Sequence, residues 1–211
     1  MSEWKNMSLG DFQEKLASKD PTPGGGSASA IALGQAAALT SMVAELTLGR
    51  EKWKDGWNAA ENAKLVTTNI LAGLAFELAM KDSNAFDAVM AAYKLPKETN
   101  EDKVTRSMKI VEATWIATLV PLDTAKIALE LLKTLPELAS KGNSNAVTDV
   151  GVASLLASAA CKGALFNVEI NIGSLPTDDE KVKQIVKQIE DIRLTASNIS
   201  KNCMKYVKER I

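Results

Sequence analysis

Apolar residues recur at helical spacing along most of this chain. They fall at steps of three or four in residues 59–80, 104–135 and 182–199, and that spacing is typical of amphipathic helices. No segment sustains the alternation of apolar and polar residues that a half-buried β-strand requires. The pattern therefore predicts an all-α fold, an orthogonal or up-and-down bundle of roughly six to eight helices.

Two further segments, residues 27–48 and 146–166, are rich in alanine, serine and glycine and carry few charges. Small side chains let helices approach closely, so we expect these two helices to form the centre of the bundle, with the amphipathic helices around them. The first segment is long enough to span a membrane, but Gln35, Glu45 and several hydroxyl groups make its transfer into lipid unfavourable. We expect no membrane association.

Capping signals predict where several helices begin. Ser8 is a suitable N-cap for a short first helix, and Thr99 with Asp102 resembles a capping box. Thr177 with Glu180 forms the same motif before a long C-terminal helix. These signals place three helix starts in the N-terminal, central and C-terminal parts of the chain.

Polar clusters and prolines predict interruptions. The sequence Lys81-Asp82-Ser83-Asn84 is expected to separate two helices, with Asp82 or Ser83 as the cap of the second. Pro121 is expected to kink or interrupt the helix that follows Thr99, and Pro136 suits either a helix interior or a first turn. Residues 167–173 resemble a short extended segment.

The stretch Pro21-Thr22-Pro23-Gly24-Gly25-Gly26-Ser27 is the strongest local signal. It leads into a helix whose first N–H groups lack intrahelical partners and lie at the positive end of the helix dipole. One interpretation is a turn into a tightly packed helix, and the other is a cradle for a carboxylate, phosphate or carbonyl oxygen. The stretch lacks the Gly-Lys-Ser/Thr ending of a P-loop and the preceding strand of a dinucleotide fingerprint.

Composition excludes several classes of function. The 211 residues carry a formal net charge of -1 and only 5% aromatic residues, which argues against a nucleic-acid-binding surface. There is no histidine, so histidine-ligated zinc and a histidine general base are excluded. Two distant cysteines and the lack of a leader pattern suit a reducing cytoplasm. No low-complexity linker interrupts the chain, and we expect one domain over residues 1–211.

Six separate motifs resemble, in the same order, the cyclodeaminase/cyclohydrolase family of folate enzymes. The resemblance spans nearly the whole chain, with one small departure at Thr148, where serine is more usual in the family. The motifs are Pro21 to Ser27, Asp82 to Phe86, Leu95-Pro96-Lys97 followed by Arg106, Val120-Pro121-Leu122, Gly142 to Ala153, and Asn167-Val168 with Asn171. The resemblance implies an all-helical homodimer with sites near its interface, acting on tetrahydrofolate with or without a polyglutamate tail.

Three functions remain open from the sequence. We favour reversible hydrolysis of 5,10-methenyltetrahydrofolate to 10-formyltetrahydrofolate, which needs neither a redox cofactor nor a metal. The alternative is a formiminotetrahydrofolate cyclodeaminase, which releases ammonia. A third possibility is a helical scaffold without catalytic activity, whose interface would be solid and free of clefts.

The resemblance also implies roles for individual residues. Asp149 is the first candidate for proton transfer, although an acidic residue in a first helical turn also complements the helix dipole. Asp82 is a second candidate acid or base, and Arg106 is a candidate for binding the folate glutamate or orienting an acid. The residues expected to bind substrate are Pro23, Gly24, Gly25, Gly26, Ser27, Asn145, Thr148, Asn167 and Asn171.

Two expectations about geometry follow from these assignments. A side chain at Gly25 is expected to block the approach of ligand to the main chain. Asp149 and the stretch of residues 21–27, called the glycine bend below, are expected to meet around one folate-borne carbon, either within one chain or across neighbouring protomers.

Overall fold

The structure, a computed structural model, describes residues 3–211 and is predominantly helical. Its described part contains no strand, which confirms the all-α prediction. Within residues 3–211 there are seven α-helices: α1 (Leu9–Leu16), α2 (Gly25–Thr47), α3 (Trp57–Asn69), α4 (Ala75–Tyr93), α5 (Asn100–Lys141), α6 (Val147–Ile172) and α7 (Glu180–Arg210). Short 3₁₀ turns occupy Glu3–Lys5, Glu51–Gly56 and Ser144–Ala146.

Helices α2 and α6 lie antiparallel in the centre of the bundle, as the small-residue pattern predicts. The start of α2 lies beside the end of α6, since a Cβ atom built on Gly25 would be 3.8 Å from Asn167 Nδ2. The opposite ends meet where the Asn143 N–H donates to Thr47 Oγ1 at 3.0 Å. Between them, a Cβ on Gly163 would overlap Ser29 Oγ, so glycine sets the close spacing of the pair.

Helix α5 contains 42 residues and passes through Pro121 and Pro136 without ending. The predicted capping box at its start is confirmed, with the Asp102 N–H donating to Thr99 Oγ1 and the Thr99 N–H to Asp102 Oδ2, both at 3.0 Å. The predicted interruption at Pro121 is wrong. Pro121 is itself buried, next to the fully buried Leu122, and tertiary packing outweighs the hydrogen bond that proline removes.

The predicted helix break at residues 81–84 is also wrong, because α4 runs unbroken through them. The interruption lies earlier, in a π-helical turn at Ile70–Leu74 that joins α3 to α4. Gly73 in this turn has φ of 136°, a left-handed conformation that L-residues rarely adopt. Asp82 and Ser83 therefore lie in the middle of a helix instead of capping one.

The two C-terminal predictions of local structure need correction. Helix α6 continues to Ile172, so residues 167–173 do not form the extended segment that their sequence suggests. Asp179 caps α7, accepting a hydrogen bond from the Lys181 N–H at 2.8 Å, in place of the Thr177 capping box. The long C-terminal helix itself is confirmed, and Arg193 ties it to Glu169 of α6 at 2.7 Å.

Three helical stretches meet the length and apolarity of a membrane span: Gly25–Thr47, Glu51–Tyr93 and Ser144–Ile172. In the first and third, 50% and 56% of the apolar window is buried inside the bundle. Burial within the bundle gives this apolar surface a partner in the protein itself. The lack of membrane association remains a prediction.

Replacing Gly73 by alanine tests the π-helical turn. A Cβ at φ 136° is strained, so Gly73→Ala is expected to lower the free energy of unfolding by about 1–3 kcal/mol in urea titrations. The control is Gly10→Ala in α1, where a Cβ would meet only Ser8 Oγ at 3.8 Å; it is expected to be neutral or to stabilise by up to about 1 kcal/mol. Equal effects of the two substitutions would contradict this account of the turn.

Candidate functional site

A cleft of about 290 Å³ opens at the N-terminus of α2, between α2, α4, α5 and α6. Larger open grooves exist elsewhere on the described surface, but this cleft is where the sequence-predicted residues gather. Six of the predicted residues line it: Gly24, Gly25, Gly26, Asp82, Asn167 and Asn171. The remaining lining residues are Pro21, Thr22, Phe86, Val89, Ala117 and Ile170.

The glycine bend supplies to the cleft a helix N-terminus that lacks a cap of its own. The Thr22–Pro23 peptide bond is cis, and Gly24 is the N-cap residue of α2 without any side-chain hydrogen bond to the helix. The first intrahelical bond runs from the Ala28 N–H to Gly24 O at 2.9 Å. Main-chain N–H groups ahead of Ala28 are thus free of intrahelical partners, and they favour negative charge.

The Asp82 carboxyl group lies against this helix N-terminus from the neighbouring helix α4. Its Oδ2 accepts a hydrogen bond from Ser27 Oγ at 2.9 Å, and the Ser27 main-chain N–H also donates to it. Burial raises the pKa of Asp82 above its ordinary value, and the hydrogen bonds from Ser27 oppose that shift. Asp82 therefore caps α2 across space, and it presents to the cleft a carboxyl group suited to proton transfer.

Gly26 is the glycine that this arrangement requires. A Cβ at position 26 would overlap the Asp82 carboxylate, lying 2.6 Å from its Cγ atom. At Gly25 the nearest atom would be Asn167 Nδ2 at 3.8 Å, an ordinary contact. Within the protein, position 26 is therefore the one where a side chain collides. The expectation that a side chain at Gly25 blocks the approach of ligand stays a prediction.

Two residues predicted to bind substrate do not reach the cleft. Ser27 is fully buried and bonds to Asp82, to Ala79 O and to Ser83, and Pro23 is buried behind the loop. Ser27 therefore supports the Asp82 carboxyl group from behind the surface of the cleft.

Asn167 and Asn171 lie one helical turn apart on α6, and both face the cleft. Asn167 Nδ2 donates to Gly163 O at 2.9 Å, and Asn171 Nδ2 donates to Ala117 O at 2.7 Å. Within residues 3–211, neither side-chain oxygen has a hydrogen-bond donor. The two oxygens are thus available as acceptors for N–H groups of a ligand.

Sequence analysis missed the apolar wall of the cleft. Phe86 and Val89 follow Asp82 at steps of four and three on α4, so all three side chains share one helical face. That spacing is visible in the sequence, but the expected break at residues 81–84 made Asp82 a candidate cap instead of a member of the helical face.

Arg106 does not line the cleft. Its Nε and Nη2 donate to Tyr93 O at 3.2 and 3.1 Å, and its guanidinium lies over the Tyr93 ring. This contact joins α5 to the end of α4, about 16 Å along α4 from Asp82 at 1.5 Å per residue. Arg106 therefore does not orient an acid within this chain.

Asp149, Asn145 and Thr148 lie at the other end of the molecule. Asp149 is in the first turn of α6, eighteen residues before Asn167, or about 27 Å away along the helix at 1.5 Å per residue. The expectation that Asp149 shares a cleft with the glycine bend is wrong within one chain, because the straight length of α6 separates them. Asn145 and Thr148 are exposed near the same helix start.

Comparisons with known proteins agree on one family. A family model described as formiminotransferase-cyclodeaminase matches residues 8–191. A methenyltetrahydrofolate cyclohydrolase from Methylorubrum extorquens is 36% identical, and the alignment covers 98% of each chain. The formimidoyltransferase-cyclodeaminase of Rattus norvegicus is 33% identical over 84% of this chain but only 33% of its own length.

The fold is also similar to that of a solved structure. A crystal structure of formiminotetrahydrofolate cyclodeaminase from Thermotoga maritima superposes with a TM-score of 0.85 at 27% identity, covering 98% of both chains. The resemblance stated from the sequence motifs is confirmed by these matches.

Substitutions at the two neighbouring glycines test the contact between Gly26 and Asp82. Gly26→Ala is expected to lower the free energy of unfolding by about 1–3 kcal/mol through overpacking, whereas Gly25→Ala should change it by no more than about 0.5 kcal/mol. The cost of Gly26→Ala should shrink in an Asp82→Ala background, since the colliding carboxyl group is then absent. An undiminished cost in that double variant would place the collision elsewhere.

Proposed function

Because this chain belongs to the formiminotransferase-cyclodeaminase family, we propose that it hydrolyses 5,10-methenyltetrahydrofolate reversibly to 10-formyltetrahydrofolate. The observation that carries the proposal is the meeting of the α2 N-terminus, the Asp82 carboxyl group and two asparagine acceptors in one cleft. The similarity to the Methylorubrum cyclohydrolase over the full length of both chains favours this reaction.

The proposed reaction is a hydrolysis without change of oxidation state. Water adds to the cationic methenyl carbon between N5 and N10, forming a C–O bond and losing a proton. The C–N5 bond then breaks as N5 takes up a proton, and the new hydroxyl group loses its own proton to become the formyl oxygen. One proton is released overall. Since no electrons are transferred, the reaction needs a proton carrier and charge stabilisation but no redox cofactor.

Asp82 is the group we assign to proton transfer in this cleft. As the carboxylate it accepts the proton of the attacking water, and as the acid it returns a proton to N5. A pKa raised by burial brings the two forms of the carboxyl group closer in free energy near neutral pH. The free N–H groups of the glycine bend favour the oxygen that develops negative charge as the hydroxyl proton leaves.

The polar and apolar walls of the cleft suit a pterin. The unoccupied oxygens of Asn167 and Asn171 accept hydrogen bonds from ring and exocyclic N–H groups. Phe86 and Val89 offer an apolar surface for the flat ring system. Arg106, at the far end of α4, retains N–H groups that do not bond to Tyr93 and that suit a carboxylate of the glutamate tail, whether single or repeated.

Cyclodeamination of formiminotetrahydrofolate is the second candidate, supported by the fold match with the Thermotoga cyclodeaminase. In that reaction a folate nitrogen attacks the formimino carbon and ammonia leaves, so the same carboxyl group would move the protons. One pair of assays on the purified protein separates the two. Loss of methenyltetrahydrofolate absorbance indicates the hydrolase, and its appearance from formiminotetrahydrofolate with ammonia release indicates the deaminase. Absence of both activities, and of tetrahydrofolate binding, would leave the non-catalytic scaffold.

We also propose a cytoplasmic homodimer in which α6 packs against α6 of a second copy. Its exposed stripe is largely apolar, with Val152, Leu155, Phe166 and Ile170 between 47% and 73% exposed, and burying such a stripe favours association. In an antiparallel pairing centred near Ala159, the partner's first turn of α6 would lie beside the cleft of the other chain. This arrangement would let Asp149, Thr148 and Asn145 of one copy act at the cleft of the other.

Asp82→Asn is expected to separate activity from stability. We expect at least an approximately hundredfold loss of kcat, because the amide cannot carry the proton. The raised pKa means that Asp82 favours folding most below its unfolded pKa and loses that contribution as pH rises through the folded pKa. The Tm of Asp82→Asn at pH 7 should therefore equal or exceed that of the unsubstituted protein, and the difference should vanish in acid. A lowered Tm at pH 7 would contradict the linkage to a raised pKa, and an unchanged kcat would remove Asp82 from proton transfer.

Mixing two inactive variants tests whether sites are shared between copies. Asp82→Asn and Asp149→Asn proteins, each expected to be nearly inactive, are unfolded together and refolded as mixed dimers. If each site uses Asp82 of one copy and Asp149 of the other, half of the dimers are mixed and each regains one intact site, so about a quarter of full activity returns. No regain above the separate proteins would exclude a shared site, and unimpaired Asp149→Asn protein would remove Asp149 from the mechanism.

A further inference from the structure

A pair of buried hydroxyl groups lies directly behind the Asp82 carboxyl group. Ser27 Oγ is 2.9 Å from Asp82 Oδ2, 3.0 Å from Ala79 O and 3.1 Å from Ser83 Oγ. Ser27 is fully buried, and Ser83 is only 6% exposed. Neither hydroxyl lines the cleft, so their role concerns the carboxyl group and not the ligand.

We propose that Ser27, supported by Ser83, is a positioning residue that gives Asp82 a hydrogen-bond partner in both of its protonation states. The inference deepens the proposed function, since it explains how one buried carboxyl group can act first as a base and then as an acid. It requires no transfer of the serine proton. The hydroxyl only rotates about its Cβ–Oγ bond.

The two states follow from the donor count of a hydroxyl group, which has one proton and two lone pairs. When Asp82 is ionised, the Ser27 hydroxyl donates to Oδ2, and the Ser83 hydroxyl can donate to Ser27 Oγ. When Asp82 is protonated, its own hydroxyl donates to Ser27 Oγ, and Ser27 turns to donate to Ala79 O. Every hydroxyl proton has an acceptor in each state. A buried polar group left unpaired in one state would bias the carboxyl group towards the other.

Charged side chains do not compete with Ser27 for control of Asp82. Burial and Ser27 are the causes of the pKa shift of Asp82, and among the charged groups of residues 3–211 none contributes to it. On the elements packed around Asp82, the flanking charged residues are exposed or half-exposed: Lys81 and Asp87 on α4, Glu45 at the far end of α2, Glu112 and Asp123 on α5, and Lys162 and Glu169 on α6.

Ser27→Ala tests the inference through the pH dependence of catalysis. Ser27→Ala removes the partner from both states, but the carboxylate loses more because a hydrogen bond to an ionised acceptor is stronger than one between neutral groups. The pKa of Asp82 should therefore rise, and the acidic limb of the kcat profile should move to higher pH. We expect kcat to fall by about tenfold or more at neutral pH, while KM changes little because Ser27 does not touch the cleft. Ser27→Thr keeps a hydroxyl group, so its acidic limb should lie close to the pH found for the unsubstituted protein. Ser83→Ala should move the acidic limb to higher pH, but by less than Ser27→Ala does.

A second buried serine pair provides the control. Ser154 Oγ and Ser200 Oγ lie 3.2 Å apart between α6 and α7, away from the cleft. Ser154→Ala removes an equivalent interaction and should leave the acidic limb in place. The inference is overturned if the acidic limb of Ser27→Ala lies at the same pH as that of Ser154→Ala. It is also overturned if folded Ser27→Thr protein keeps the shifted acidic limb of Ser27→Ala.

A direct titration separates this inference from the proposed reaction. Carbon NMR of protein labelled in its aspartate carboxyl groups, assigned with Asp82→Asn, follows the Asp82 pKa without any substrate. A higher Asp82 pKa in Ser27→Ala would support the positioning role of Ser27 even if neither folate activity is found. An unchanged pKa would refute it even in an active cyclohydrolase.

Discussion

The site depends on the contact between Asp82 and the first turn of α2. The carboxyl group can approach the helix N-terminus this closely because residue 26 has no side chain. In return, Asp82 supplies the cap that Gly24 cannot provide to its own helix. One contact thus fixes the distance between two helices, satisfies the Ser27 main-chain N–H and holds a carboxyl group at the edge of a cleft.

The features that the sequence predicts well are those determined by neighbouring residues. Helical spacing, the Thr99 capping box and the start of α2 at the glycines depend on a few positions each, and all agree with the structure. The errors occur where tertiary packing decides. Lys81 to Asn84 has the composition of a break, yet it lies within α4, because Asp82 and Ser83 find partners on α2. Functional residues commonly depart from local rules in this way.

The sequence motifs predicted several of the residues that line the cleft, but not which of their atoms are in contact. Family motifs pointed to the glycine bend, Asp82 and the two asparagines of α6, and these residues converge. Sequence alone does not reveal which glycine meets a side chain, because Gly25 and Gly26 differ only in what faces them across space. It also does not show that Ser27 turns inward. The separation of Asp149 from Asn167 follows from the length of α6, and the helix predicted over residues 146–166 already implied most of it.

The π-helical turn at Ile70–Leu74 has a consequence for the rotational phase of α4. One additional residue in a helix turns every later position by about 100° around the axis, since a full turn takes 3.6 residues. Asp82 lies two to three turns beyond the π-helical turn. The extra residue in that turn therefore determines that the Asp82 side chain faces α2. Loss of a residue there would keep α4 helical and buried, yet aim a different side chain at the glycine bend. By rotating α4 about its axis, the π-helical turn thus sets which residue of α4 faces the cleft.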